Sequence, residues 1–242
     1  MGQARLDLPA IEQSLRAVQR DFARINALLQ VHRDPMGDEI VARMLAGYAL
    51  VDELLDRRID LFAYGQSGLL LELNTIVLCG RDETRRRAFA PHIAATADRF
   101  YDDHGGDFGA IADWYRRHQD ESAWLRAAGV YVRALSEPQL FIEGNHRTGA
   151  LIMSYILARA GKPPFVLRVD NALAYFDPSS VIKHTRKTPM TLLFQLPRIK
   201  KRFARFLEAQ ADKSFLVRGN ADRSTPRVDT IAKATVGQGL VG

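Results

Sequence analysis

The chain has 242 residues, 47% of them hydrophobic, which is enough to bury a full core and excludes a disordered or fibrous protein. Its formal net charge of +6 permits anionic partners such as nucleotides, nucleic acids or acidic proteins without choosing among them. The single cysteine, Cys79, excludes an internal disulfide, and no run nears the roughly 18 apolar residues of a membrane span, so a cytoplasmic protein with no membrane partner is expected.

Ile11, Leu15, Val18, Phe22, Ile25 and Leu29 recur at steps of four and three. They predict an amphipathic helix that stops near Asp34-Pro35, so residues 1–36 are read as an N-terminal helical segment. A second helix is predicted from Asp38 toward Leu61. The run GLLLELNTIVLCG suits either a short helix or a strand. Helix resumes from Asp82 to Ala97, and DDHGGDFG can only be a loop or turn. Further helices are predicted over Ala110–His118 and from Ser122 until Pro138 ends it. A helix buried on most faces starts at Arg147 or Thr148 and stops at Gly161, ahead of Pro163-Pro164. FVLRVDNALAYFDPSS reads as a short extended segment before a turn. The last helix, Thr188 to Ala211, turns Leu192, Leu193, Leu196, Phe203, Phe206 and Leu207 inward and is kinked or divided by Pro197. Residues 213–242 are polar and aperiodic, which predicts a mobile tail. The expected fold is all-α, with the main helical domain over residues 37–212.

Between two predicted helices lies EPQLFIEGNHRTGAL, residues 137–151. A helix N-terminus leaves its first N–H groups unpaired and carries partial positive charge, so a phosphate is well placed there. Gly144 lets the backbone pass close to a ligand. Asn145 can donate an amide hydrogen, Arg147 offers a forked cation for phosphate oxygens, and Glu143 offers a carboxylate to a divalent metal bridging a polyphosphate. The same residues equally suit plain capping, with Asn145 and Thr148 as caps and Glu143 complementing the dipole.

This run resembles the signature of the Fic family, His-Pro-Phe-x-(Asp/Glu)-Gly-Asn-Gly-Arg-x-x-Arg, whose members typically transfer AMP from ATP to a protein hydroxyl. Phe141, Glu143, Gly144, Asn145 and Arg147 fall on pattern positions, and RTGALIMSYILARAGKPPFVL resembles the buried helix and AGxPP ending that follow it. The resemblance implies a mainly helical Fic-type fold with a small β-hairpin flap, a loop anchored by Phe141, and Mg²⁺ with ATP as cofactor, the metal held by Glu143. Gly144, Asn145, His146, Arg147 and Thr148 would contact the nucleotide phosphates.

The sequence departs from the pattern at four places. Gln139 stands where the family has its proton-accepting histidine, Leu140 replaces the proline, His146 a glycine, and Ala150 the final arginine. A glutamine amide has no useful basicity, so the resemblance implies either transfer of AMP or another phosphate-containing group by altered means, or a catalytically inactive Fic-fold protein-binding module. In the related Doc-type toxins a lysine precedes the arginine and phosphate is the transferred group, which draws attention to His146. LLLELNTIVL resembles the family's inhibitory helix, (Ser/Thr)-x-x-x-Glu-(Gly/Asn), and makes Glu72 the candidate blocking residue, although Gly68 occupies the hydroxyl position. FYDDHGGDFG, residues 100–109, lies where the family's flap docks a target protein; a plain interhelical loop fits it equally. Nucleic acid is not an expected partner, because no known binding motif accompanies the basic stretches RDETRRRAF and PRIKKRFARF.

Overall fold

The N-terminal apolar stripe folds as its spacing predicts. Helix α1 spans Leu8–Leu28, with Asp7 capping it by accepting from the Ala10 N–H at 2.9 Å and Ile11, Leu15, Val18, Phe22 and Ile25 buried. A computed structural model describes residues 4–218 of the chain. The protein is mainly helical: α2 (Asp38–Asp56), α3 (Gly68–Cys79), α4 (Glu83–Ala88), α5 (Ala90–Tyr101), α6 (Phe108–Arg117), α7 (Ala123–Leu135), α8 (Asn145–Arg159), α9 (Ala172–Lys183) and α10 (Leu196–Ala209) follow α1. No helix among the described residues is long and apolar enough to cross a membrane.

Helix α8 is the hub, packed against α7, α2 and α3. Leu151, Ile152, Met153, Ile156 and Leu157 are all buried to within 1% exposure, which stabilises the fold by about 1.5–3 kcal/mol per side chain. Gly161, at φ 69°, ends the helix: its N–H reaches the Ala158 carbonyl and the Lys162 N–H reaches that of Leu157. The ambiguous apolar run is helix α3, buried on most sides from Leu73 through Cys79.

A small antiparallel sheet accompanies the helices, but its strands come from distant parts of the sequence. Strand β1 (Ala4–Leu6) pairs with β2 (Leu216–Arg218), Ala4 opposite Arg218. Residues 213–218, expected to begin a mobile tail, therefore form a 3₁₀ turn and strand β2; the rest of that expected tail lies outside the described residues. Between α5 and α6 the chain makes a tight turn, closed by hydrogen bonds from the Gly105 and Asp107 N–H groups to the Asp102 carbonyl. Gly106 in this turn passes so close to the 137–144 loop that a Cβ there would lie 2.4 Å from the Leu140 carbonyl oxygen.

Further expectations need correction. The helix expected from Asp82 to Ala97 is two, α4 and α5, divided at Phe89 and reaching Tyr101. FVLRVDNALAYFDPSS contains helix α9, whose inward residues Ala172, Tyr175, Ser179 and Ile182 keep helical spacing through the interior Pro178. Helix α2 stops at Asp56, short of Leu61, as the chain turns through Arg58 at φ 54°. Leu192 and Leu193, expected in the core, are 39% and 66% exposed. Pro197 is the cause: without an N–H and with its ring against the Leu193 carbonyl, it forbids a regular α-turn before it. Thr191–Gln195 widens into a π-turn, closed by the Leu196 N–H on the Thr191 carbonyl, and this carries the leucines off the buried face.

Candidate functional site

The 137–144 loop is strapped down from several sides before it delivers the chain to α8. Phe141 is buried and stacks on Phe100 at 5.6 Å, as the anchoring role implied for it requires. The Asn145 side chain buckles the loop: its Oδ1 accepts from the Phe141 N–H at 2.9 Å and its Nδ2 donates to the Phe141 carbonyl at 2.8 Å. From α3, Asn74 Nδ2 donates to the Glu143 carbonyl at 2.9 Å and to Thr148 Oγ1 at 3.0 Å. Gly144, in the left-handed region at φ 76°, then turns the chain into α8, where a Cβ would press on Asn74 Nδ2 at 3.0 Å.

That turn leaves the backbone N–H groups of Asn145, His146 and Arg147 without a protein acceptor among the described residues. They stand at the edge of a cavity of about 350 Å³. It is lined by Glu143, Arg147 and Ala150 around the start of α8 and by Arg33, Asp34 and Met36 from the connector between α1 and α2. Lys183 at the end of α9 adds a third cation, and Phe22, Met44, Phe165 and Phe176 give the interior an apolar lining. The cavity thus joins a cationic rim at a helix N-terminus to an apolar body, the usual make-up of a small-molecule site.

The cations are held in different ways. Arg147 Nη1 donates to the Val77 carbonyl at 3.1 Å, and its Nη2 lies 3.9 Å from the half-exposed Glu143 carboxylate. Burial lowers the Arg147 pKa, and Glu143 opposes that shift. Arg33 is pinned by its backbone to the Asn26 side chain, and its Nη2 donates to Ser180 Oγ at 2.7 Å. Arg33 Nη1 lies 3.3 Å from His146 Nε2. Because a guanidinium only donates, Nε2 must accept, so the proton sits on Nδ1 and is shared with Tyr131 Oη at 3.3 Å. His146 is therefore a neutral imidazole, pushed down to about 3 by burial first and then by Arg33, Lys183 and Arg147.

The loop residues singled out in the sequence separate in space. Glu143, Gly144, Asn145, His146 and Arg147 line one cavity. Thr148, expected among the phosphate contacts, is fully buried and bonded to Asn74 behind the loop, so its hydroxyl is not offered to a ligand. His146 offers no cationic ring. Gln139 does not line the cavity; its Nε2 donates to the Leu135 carbonyl at 3.2 Å, its Oε1 accepts from Asn145 at 3.3 Å, and it faces an adjoining hollow with Arg99, Lys183 and Lys187. Glu72, the candidate blocking residue, pairs with Arg86 of α4 at 2.7 Å and takes no part in the cavity.

Sequence reasoning missed Arg33, Asp34, Lys183 and Asn74. His32-Arg33-Asp34-Pro35 registers only as a helix stop, and Asn74 sits unremarked in the LLLELNTIVL run, two residues after Glu72. For a metal, the carboxylates lining the cavity are Glu143 and Asp34. No group of three or more His, Cys, Asp or Glu side chains among the described residues forms a metal cage. Magnesium commonly binds through one or two carboxylates plus substrate phosphates, so these residues suit an ion that arrives with a phosphate ligand. Comparison of the chain with protein-family models, with curated proteins and with solved structures finds no match.

Proposed function

We propose that the cavity at the start of α8 is a Fic-like nucleotide-phosphate site. The observation that carries this reading is the set of three unpaired N–H groups at Asn145, His146 and Arg147, opening between Arg147, Arg33 and Lys183. Fixed donors at a helix N-terminus stabilise a phosphate's charge without reorganising, and Arg147 adds a side-chain contact. Mg²⁺ held by Glu143, with Asp34 in the same cavity, would neutralise phosphate charge and polarise the phosphorus. The Asn145 amide is engaged by Phe141, so the backbone rather than that side chain serves as the anion hole. Transfer to a protein hydroxyl would proceed by in-line attack of the hydroxyl oxygen on phosphorus from the Gln139 side, breaking the bond to the departing group (pyrophosphate when AMP is transferred from ATP, ADP when the γ-phosphate is) and releasing the hydroxyl proton to solvent water. Gln139 can orient that hydroxyl but cannot take its proton, and general-base help is a factor of about 10² to 10⁴.

A second reading, a catalytically inactive protein-binding module on the same fold, is favoured by one observation: Ala150 lines the cavity where the family pattern has its last arginine. Thermal melting with and without Mg·ATP tests the first reading. A nucleotide at about a hundred times its dissociation constant stabilises by roughly 2.7 kcal/mol, and Arg147→Ala should abolish most of that gain. Absence of any shift with Mg·ATP or Mg·ADP would sink the nucleotide reading. Label transfer to lysate proteins from α-³²P-ATP and, separately, from γ-³²P-ATP, compared with the Gln139→His variant, separates the two: labelling by either protein with either nucleotide supports transfer, and labelling with neither nucleotide leaves the binding module.

A further inference from the structure

We infer that the π-turn before α10, with the basic face of that helix, docks this protein on an anionic lipid surface. Met190, Leu193 and Phe194 are 68%, 66% and 52% exposed, and Leu192 is 39% exposed. Large apolar side chains exposed in succession are unusual on a soluble face and mark an interaction site. Three neighbouring residues can all be exposed only where the turn stands away from the body. The first fully buried side chain after them is Leu196.

The apolar turn is continuous with cationic surface along α10. Phe194 heads a stripe along α10 through Arg198, Lys201, Arg202 and Arg205, all exposed and spaced by helical steps. On the other side Val181, His184 and Arg186 at the end of α9 share a hollow with Gln195. No Asp or Glu occurs between Asp177 and Glu208. Of the acidic groups nearby, Glu137 pairs with Arg186 and Glu121 with the buried Lys200, while Asp103 and Asp107 share a hollow with Leu192 and Asp177 shares that of Gln195, so the positive charge of this face is concentrated on the α10 stripe.

Charge complementarity selects the occupant. An apolar wedge flanked by cations matches the acyl boundary and the headgroups of an anionic leaflet, where a segment lies in the plane without crossing it. Phe194 is the one aromatic residue of the turn, too few to stack successive bases of a nucleic acid.

The test is co-sedimentation of the full chain, without nucleotide, with vesicles of phosphatidylcholine alone or with 30 mol% phosphatidylserine (about 30%, enough to set an anionic surface potential). Binding should be at least about tenfold stronger to the anionic vesicles, should fall about 25-fold in Arg198→Gln/Arg202→Gln, and should fall at least about tenfold in Leu193→Ser/Phe194→Ser. The substituted side chains are exposed, so both variants should keep the parent's thermal melt. Equal or absent binding to the two vesicle types overturns the inference. So does a loss confined to the arginine variant, which would indicate a general polyanion surface such as nucleic acid binds.

Discussion

Asn145→Ala is the sharpest test of how the loop is built. The amide makes two short hydrogen bonds to Phe141, at 2.9 and 2.8 Å, in a setting where Asn145 is 6% exposed and Phe141 1%. Alanine leaves both Phe141 backbone groups buried and unpaired, and each costs about 1–3 kcal/mol, so the loss should be about 2–6 kcal/mol. The 3.3 Å bond to Gln139 adds little, because its partner is only part-buried. For a chain of this size a loss near the middle of that range, about 4 kcal/mol, lowers Tm by about 8–16 °C. Urea unfolding followed by far-UV circular dichroism measures it directly. A loss below about 1 kcal/mol would refute the reasoning, since it would mean that water replaces the amide and the loop needs no buckle.

Other perturbations have equally definite outcomes. Burial and the nearby cations push His146 down to about 3, against about 6.5 in an unfolded chain, so the unfolded state binds the extra proton between those values. Its contribution to stability is complete above pH of about 6.5 and is lost as pH falls toward about 3; the urea midpoint should drop across that window, less steeply in His146→Gln. Gly129→Ala would place a Cβ 1.9 Å from the Trp114 ring and should cost at least about 1–3 kcal/mol, whereas Gly68→Ala meets nothing within 4 Å and should stabilise by up to about 1 kcal/mol; thermal melts compare them. Lys200 is 7% exposed and paired with Glu121 at 2.6 Å, so Glu121→Gln should destabilise by about 3–5 kcal/mol while Lys200→Met stays near neutral by the same melts.

What could be read from the sequence follows from how each element is buried. Helix α1 was legible because one face alone is apolar, and the start of α8 was placed within three residues because Gly144 and the polar run punctuate it. The fold class and the Glu143–Arg147 cluster were therefore accessible before any coordinates. Helix α9 was not, since its buried stripe includes Ala172 and Ser179, small or polar residues that no hydrophobic pattern marks, and Pro178 interrupts it. Leu192 and Leu193 misled because the local rule that put them inward ignores the π-turn that Pro197 forces. Arg33 was invisible for a different reason: its value to the site comes from meeting His146, 113 residues later in the chain. Periodicity reports which face of an element is covered, and carries no information about which distant residue covers it.

The pairing of β1 with β2 makes the described chain nearly a closed ring. Arg5 binds Asp52 of α2 through Nε at 2.9 Å, and the Leu6 N–H donates to the same carboxylate at 2.8 Å, so this seam is fastened to the helical body. With Ala4 opposite Arg218, a short linker could join the two and new ends be opened in the turn at residues 102–107. Such a circular permutant would keep α8 and every helix packed on it while α7 and α8 are synthesised before α2 and α3 instead of after them, which is a direct means of asking whether that order matters for folding.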